Sequence, residues 1–120
     1  MRNALVAAIM VGIVFTSCNK KEDTTTLFEL KDNLLLGINF QNKLTDTNDF
    51  NVYKYRNYYN GGGVAIGDIN NDGLQDVYMV ANQSKNTLYL NKGNWKFDDI
   101  TAKAGCGGEK AWSTGVTWQM

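Results

Sequence analysis

The sequence predicts an all-β fold: one four-stranded antiparallel β-propeller blade plus the first strand of a second, preceded by a signal peptide. Three observations carry this. Four short apolar runs, each bounded by turn-forming residues, fall within the stretch from Gly61 to Asp98. A glycine-led segment at Gly63-Val64 returns at Gly115-Val116, 52 residues later, and a period near fifty is about what a propeller blade needs. The N-terminal apolar run, Ala4 to Phe15, is far shorter than the roughly 20 residues that span a bilayer.

That run has the features of a processed leader. Met1-Arg2-Asn3 supplies a basic start, and Thr16-Ser17 place small residues before Cys18. The arrangement resembles a bacterial lipobox, although Phe15 stands where leucine is usual. Residues 1–17 therefore read as a lipoprotein signal peptide and Cys18 as the lipidation site, against plain secretion with an incidental cysteine. A cysteine carrying more than one acyl chain is stably anchored. Residues 18–26 are a polar tether without apolar period. Within it, Lys21-Glu22-Asp23 resembles the surface-export signal of lipoproteins in the Bacteroidetes. The expected location is the bacterial cell envelope, as an outer-membrane lipoprotein, with periplasmic and outer faces both open.

Composition narrows the function classes. Lysine plus arginine number 12, aspartate plus glutamate 12, and histidine is absent. The resulting zero net charge removes the electrostatic basis for nucleic-acid binding. Of the two cysteines, Cys18 is assigned to the lipid, so Cys106 has no partner for a disulfide. As a nucleophile Cys106 would need a base, and no histidine exists to serve; a small buried residue in a glycine-rich turn is the simpler reading. The 103 residues from Cys18 onward make one small domain.

Residues 27–60 form a lead-in. A short strand is expected at Gly37–Phe40, where apolar residues alternate, followed by a polar loop over Gln41–Phe50. Asn51–Asn60 interleaves tyrosines with Lys54 and Arg56, and reads as a strand at a blade edge with its hydroxyls in water. Sugar contact is the alternative. The blade occupies residues 61–111, with strands at Val64–Ile66, Asp76–Ala81, Thr87–Asn91 and Trp95–Asp98. In the third, Leu88 and Leu90 share one face and Tyr89 takes the other. In the fourth, Trp95 and Phe97 share a face, after a tight connection at Lys92-Gly93-Asn94. Residues 112–120 begin a second repeat, and in this register Met120 aligns with Asp68.

Between the first two strands lies Asp68-Ile69-Asn70-Asn71-Asp72-Gly73-Leu74-Gln75-Asp76. Side-chain oxygens stand at loop positions one, three, five and nine, with glycine at six. Three carboxylates this close repel unless a positive charge sits between them, and Ca²⁺ takes about six to eight oxygens at about 2.3–2.6 Å. An EF-hand is excluded because its twelfth position, a bidentate glutamate, is Met79 here. A metal-free hairpin turn stays open, since Asn-Asp-Gly is ordinary turn chemistry.

The run Tyr59 to Asp76 resembles the start of an FG-GAP/VCBS-type repeat, most similar to bacterial repeat proteins of the ASPIC/UnbV (cartilage-acidic-protein-like) type. Asn86–Gly93, Phe97–Thr101 and Trp112–Val116 continue the likeness, as do Gly37–Phe40 and Asn42-Lys43-Leu44 upstream. The resemblance implies a β-propeller with structural Ca²⁺ in the loop between the first two strands. By position its ligands are Asp68, Asn70, Asp72 and Asp76, with the backbone carbonyl of Leu74. Asn70 replaces a more usual aspartate, which lowers ligand charge and weakens binding. The ASPIC/UnbV module itself is not in this sequence.

A non-catalytic binding or interaction module follows, reaching the membrane through its lipid anchor and meeting a protein or carbohydrate ligand but no nucleic acid. The competing readings are an envelope hydrolase whose catalytic part lies downstream, and a truncated chain without independent function. Propellers usually close with about four to eight blades, so a single blade is expected to be oligomeric or poorly soluble by itself.

Overall fold

The computed structural model describes residues 26–108 and 112–119. The signal peptide and Cys18 lie outside the described residues, as do most of the tether and Met120. One four-stranded antiparallel sheet organises the molecule, in the order β1 (Val64–Gly67), β2 (Asp76–Met79), β3 (Thr87–Asn91) and β4 (Phe97–Asp99). Each strand pairs with the next in sequence, as consecutive hairpins require. The register sets Ile66 against Val77, Tyr78 against Leu88, and Leu90 against Asp98.

Side chains alternate across this sheet, so the register defines two faces. Val64, Ile66, Val77, Met79 and Tyr89 share one. Ala65, Gly67, Asp76, Tyr78, Leu88 and Leu90 share the other. Leu88, Tyr89 and Ala65 are buried, and the expected division of Leu88 and Leu90 from Tyr89 holds.

Two short helices cap the sheet, and neither is expected from the sequence pattern. In α1 (Asn33–Leu36) the Asp32 carboxylate accepts from the Leu34 N–H, and Gly37 ends the helix at φ 81°. This is an N-cap and a left-handed glycine stop one turn apart. In α2 (Thr101–Ala104) Gly105 ends the turn at φ 64°. The Thr101 hydroxyl accepts from the Leu88 N–H (2.9 Å), and the Tyr78 hydroxyl donates to the Cys106 carbonyl (2.6 Å). These bonds seat α2 and its following turn on the Leu88 face.

The lead-in crosses the opposite face. Asn39 N–H donates to the Tyr89 hydroxyl (3.1 Å), and Lys96 Nζ donates to the Leu35 carbonyl (2.7 Å). Residues 37–40 make no ladder and are not a strand. Their backbone is held by Tyr89 instead, and the alternation of Ile38 and Phe40 reflects half-burial against the sheet.

Asn51–Asn60 is also not a strand; it is a chain of turns. The Asn51 carbonyl accepts from the Tyr55 N–H (2.8 Å), the Tyr55 carbonyl from the Tyr58 N–H (3.0 Å), and the Asn57 carbonyl from the Asn60 N–H (3.2 Å). Asn51 Oδ1 also accepts from the Tyr53 N–H (3.0 Å), a side-chain turn that competes with extended structure. The turns bring Tyr55 and Tyr58 to one side, where they meet Phe50 and Trp112 with ring centroids 4.9–5.6 Å apart. Tyr58 is fully buried and its hydroxyl accepts from Gln83 Nε2 (3.0 Å), so it is not a rim tyrosine in water. Burial raises the Tyr58 phenol above its ordinary pKa, with Asp46 adding to the effect.

The β3–β4 connection is longer than Lys92-Gly93-Asn94. Gly93, Asn94 and Trp95 all have positive φ (78°, 51° and 58°), and Lys92 N–H donates to the Lys96 carbonyl (2.7 Å). Trp95 therefore belongs to the turn and is largely exposed. It does not share a strand face with Phe97. Residues 112–118 lie against β1 without joining a ladder, so they are not a second blade's strand by hydrogen bonding.

Candidate metal centre

The connection from β1 to β2 is the acidic loop, and its side chains wrap inward on their own backbone. Asp68 accepts from two N–H groups, Asp72 at 3.2 Å and Gly73 at 2.8 Å. Asn70 Oδ1 also accepts from the Asp72 N–H (3.2 Å), and Asp72 Oδ1 accepts from the Leu74 N–H (2.8 Å). Gly73 takes φ 84°, as a sharp turn at loop position six requires. Asn71 also adopts the left-handed region, at φ 59°, which asparagine tolerates better than most residues. The Gly73 N–H, with weaker help from the Asp72, Asn71 and Asn70 N–H groups, holds the Asp68 carboxyl below the usual carboxylate range. Asp68 is therefore ionised at neutral pH and is the anionic hub of the loop.

Asp76 is placed differently. It begins β2 and is almost fully buried, with 1% exposure. One oxygen accepts from the Ile69 N–H (2.9 Å) and the other from the Asn91 N–H on β3 (2.7 Å). One carboxylate thus ties the start of the loop to the third strand. Asn91 reinforces this, its amide donating to the Gln75 carbonyl (2.9 Å).

The predicted ligands Asp68, Asn70, Asp72, Leu74 and Asp76 thus share one loop, but their carboxylates do not gather round one point. Among the described residues, no three acidic, cysteine or histidine side chains form a metal-binding group. Asn70 Nδ2 donates to the second oxygen of Asp72 (2.8 Å), occupying the space between positions three and five. The donor chemistry nevertheless suits a hard cation: side-chain oxygens at four positions, three of them carboxylates. The ion pairs among the described residues, Lys31–Glu29 and Lys54–Asp49, lie elsewhere and leave the loop charge unmatched. Binding would require Asn70 to turn its oxygen, in place of its nitrogen, toward Asp72.

One structural residue escapes the sequence reading. Asn82 is buried; its N–H donates to Asn42 Oδ1 (2.9 Å), and its amide donates to the carbonyls of Gly61 (2.9 Å) and Ser113 (3.0 Å). It clips the lead-in, the entry to β1 and the second glycine-led segment together. Its neighbours Gln83 and Ser84 make it look like any turn asparagine, so only its burial distinguishes it.

Compared with known protein families, residues 68–118 match the FG-GAP-like repeat. The match opens on Asp68, the first residue of the acidic loop, and runs through β2, β3, β4 and α2 to Trp118. The antiparallel four-stranded sheet agrees with a blade-like unit of this repeat. No curated protein and no solved structure matches the chain.

Proposed function

We propose that this chain is a non-catalytic binding or interaction module of propeller type, held to the bacterial cell envelope by a lipid on Cys18 and braced by calcium in the 68–76 loop. The observation that carries the reading is the acidic loop itself, three carboxylates without a basic partner among the described residues, at the opening of an FG-GAP-like repeat. Asp68, Asn70, Asp72, Asp76 and the Leu74 carbonyl would hold the ion. Calcium would supply charge neutralisation and a fixed β1–β2 connection. The wider type we assign is that of the ASPIC/UnbV repeat proteins, with a protein or carbohydrate ligand.

The non-catalytic reading rests on the side chains available. Asp98 and Asp99 point to opposite faces of β4. Burial pushes the Cys106 thiol above its ordinary pKa, which disfavours the nucleophilic thiolate, and the sequence has no histidine.

Calcium added to the purified chain is expected to raise its unfolding temperature, with a stabilisation of about 2.7 kcal/mol at a hundredfold excess over the dissociation constant. Asp72→Ala should abolish that response while leaving the metal-free protein folded. A wild-type chain indifferent to calcium overturns the metal reading and leaves a bare turn. The anchor is checked separately. Expression with a clickable fatty acid is expected to label the wild type, and Cys18→Ala should lose the label. Equal labelling of both would place the lipid elsewhere.

A further inference from the structure

We infer that the Asn60–Gly61 pair is a modification site: Asn60 deamidates spontaneously through a cyclic imide and ages into isoaspartate at the entry to β1. The inference is independent of the calcium and anchor readings. The chemistry needs an asparagine side chain followed by an unhindered backbone nitrogen, which glycine supplies best because it carries no Cβ. The sequence holds one Asn-Gly pair, Asn60-Gly61, and one Asp-Gly pair, Asp72-Gly73, whose carboxyl can close the same ring. The structure separates the two.

At Asp72-Gly73 both reacting groups are held. The Gly73 N–H donates to Asp68 (2.8 Å). Asp72 Oδ1 accepts from the Leu74 N–H (2.8 Å), and its other oxygen accepts from Asn70 (2.8 Å). Neither group is free to turn toward the other. At Asn60-Gly61 neither is held. Asn60 is exposed, and among the described residues no hydrogen bond engages its side-chain amide or the Gly61 N–H. Among the same residues nothing lies within 4 Å of a Cβ built at Gly61. The ring has room to form there, and water has room to open it.

The reaction needs only water. The Gly61 nitrogen attacks Asn60 Cγ; a C–N bond forms, the Cγ–Nδ2 bond breaks, and ammonia leaves with the Gly61 proton. Water then opens the imide, its hydroxyl going to the carbonyl carbon and its proton to nitrogen. Cleavage between Cγ and the Gly61 nitrogen gives aspartate. Cleavage at the Asn60 main-chain carbonyl gives isoaspartate, whose backbone runs through Cβ and Cγ and is one carbon longer. The place of that carbon matters. On one side the Asn60 N–H donates to the Asn57 carbonyl (3.2 Å), closing the last of the turns that carry buried Tyr58. On the other the Gly61 carbonyl accepts from Asn82 Nδ2 (2.9 Å). An extra atom between these two fixed points draws the Gly61 carbonyl off Asn82, the residue that clips the lead-in to the sheet.

Peptide mass spectrometry with isoaspartyl methyltransferase labelling tests the site on the full chain, incubated for days at mildly alkaline pH. Isoaspartate is expected at residue 60 several-fold faster than at residue 72 or at any other asparagine, and Asn60→Gln should remove that product. A synthetic peptide of residues 57–64 supplies the rate of an unrestrained pair, and the folded chain is expected to match it within a few-fold. The converted chain should unfold about 4 °C or more below the unconverted one, as the loss of one hydrogen bond requires. Asn60→Asp adds the same charge without the extra carbon and should stay close to the wild type. A folded rate more than an order of magnitude below the peptide's would mean that the fold protects the pair, and would overturn the inference. Isoaspartate accumulating chiefly at residue 72 would overturn it as well. A converted chain as stable as the unconverted one would overturn the proposed effect on the Asn82 clip.

Discussion

Gly62→Ala is expected to be among the most damaging single substitutions in the blade. A Cβ at Gly62 would lie 1.8 Å from the Val80 carbonyl oxygen, 2.9 Å from its carbon and 3.6 Å from Ala81 Cα. All three atoms belong to the backbone, so no rotamer change relieves the overlap. The chain must part where β1 begins, and two attachments stand there. Val80 N–H donates to the Gly63 carbonyl (2.9 Å), and Asn82 donates to the Gly61 carbonyl. Overpacking costs about 1–3 kcal/mol, and a lost hydrogen bond adds about 1 kcal/mol. The sum, about 2–4 kcal/mol, is a large share of the roughly 5–15 kcal/mol that hold a small domain together. For a domain of this size the unfolding temperature should fall by about 8 °C or more. Gly61→Ala supplies the comparison. Gly61 has φ 82° but no atom within 4 Å of a Cβ among the described residues, so alanine there meets only the left-handed penalty of about 1–2 kcal/mol. Thermal unfolding by circular dichroism should rank Gly62→Ala well below Gly61→Ala. Equal losses would mean that the close approach of residue 62 to Val80 is not what holds this corner.

The contrast between neighbouring glycines shows what was legible in the sequence. The four strands announce themselves because period-two alternation and turn residues are local signals, and β1, β2 and β3 begin where expected. The reason Gly62 must be glycine is a contact with residue 80, and no local pattern carries it. The same holds for residues 51–60. Tyrosines among polar residues suggest an edge strand. Asn51, through its own side chain, folds the backbone into turns whose aromatics then meet Trp112, more than fifty residues away in sequence. Trp95 leaves the expected fourth strand for a related reason: three successive positive φ values draw it into the turn, and the pattern Trp-Lys-Phe gives no hint of them.

The acidic loop was legible in its spacing but not in its division of labour. The resemblance makes ligands of four side chains and the Leu74 carbonyl alike, yet their surroundings differ sharply. Asp68 and Asp72 organise the loop backbone within a few residues of themselves. Asp76 reaches across the sheet to Asn91, fifteen residues away. Spacing within nine residues cannot separate a carboxylate that shapes a loop from one that joins three segments.

That division yields the other large expected effect. Asp76→Asn should destabilise the chain by about 3 kcal/mol whether or not calcium is present. The carboxylate is buried and each oxygen receives one backbone N–H, from Ile69 and from Asn91. An asparagine of nearly the same shape keeps one acceptor and turns an N–H₂ toward the other donor, so a buried N–H is left unmet. Hydrogen bonds to a charged group contribute about 1.5–3 kcal/mol each, and an unsatisfied buried donor costs about 1–3 kcal/mol. The unfolding temperature should fall by about 12 °C or more. Chelation separates this role from metal binding. In EDTA, Asp72→Ala is expected to lie within about 1 kcal/mol of the wild type, because the ligand role is gone in both and only the exposed bonds from the Leu74 N–H and the Asn70 amide are lost. Asp76→Asn should keep its full deficit, since the bonds to Ile69 and Asn91 do not depend on an ion. A deficit that vanished in EDTA would reverse the assignment and make Asp76 a ligand whose whole contribution passes through the metal.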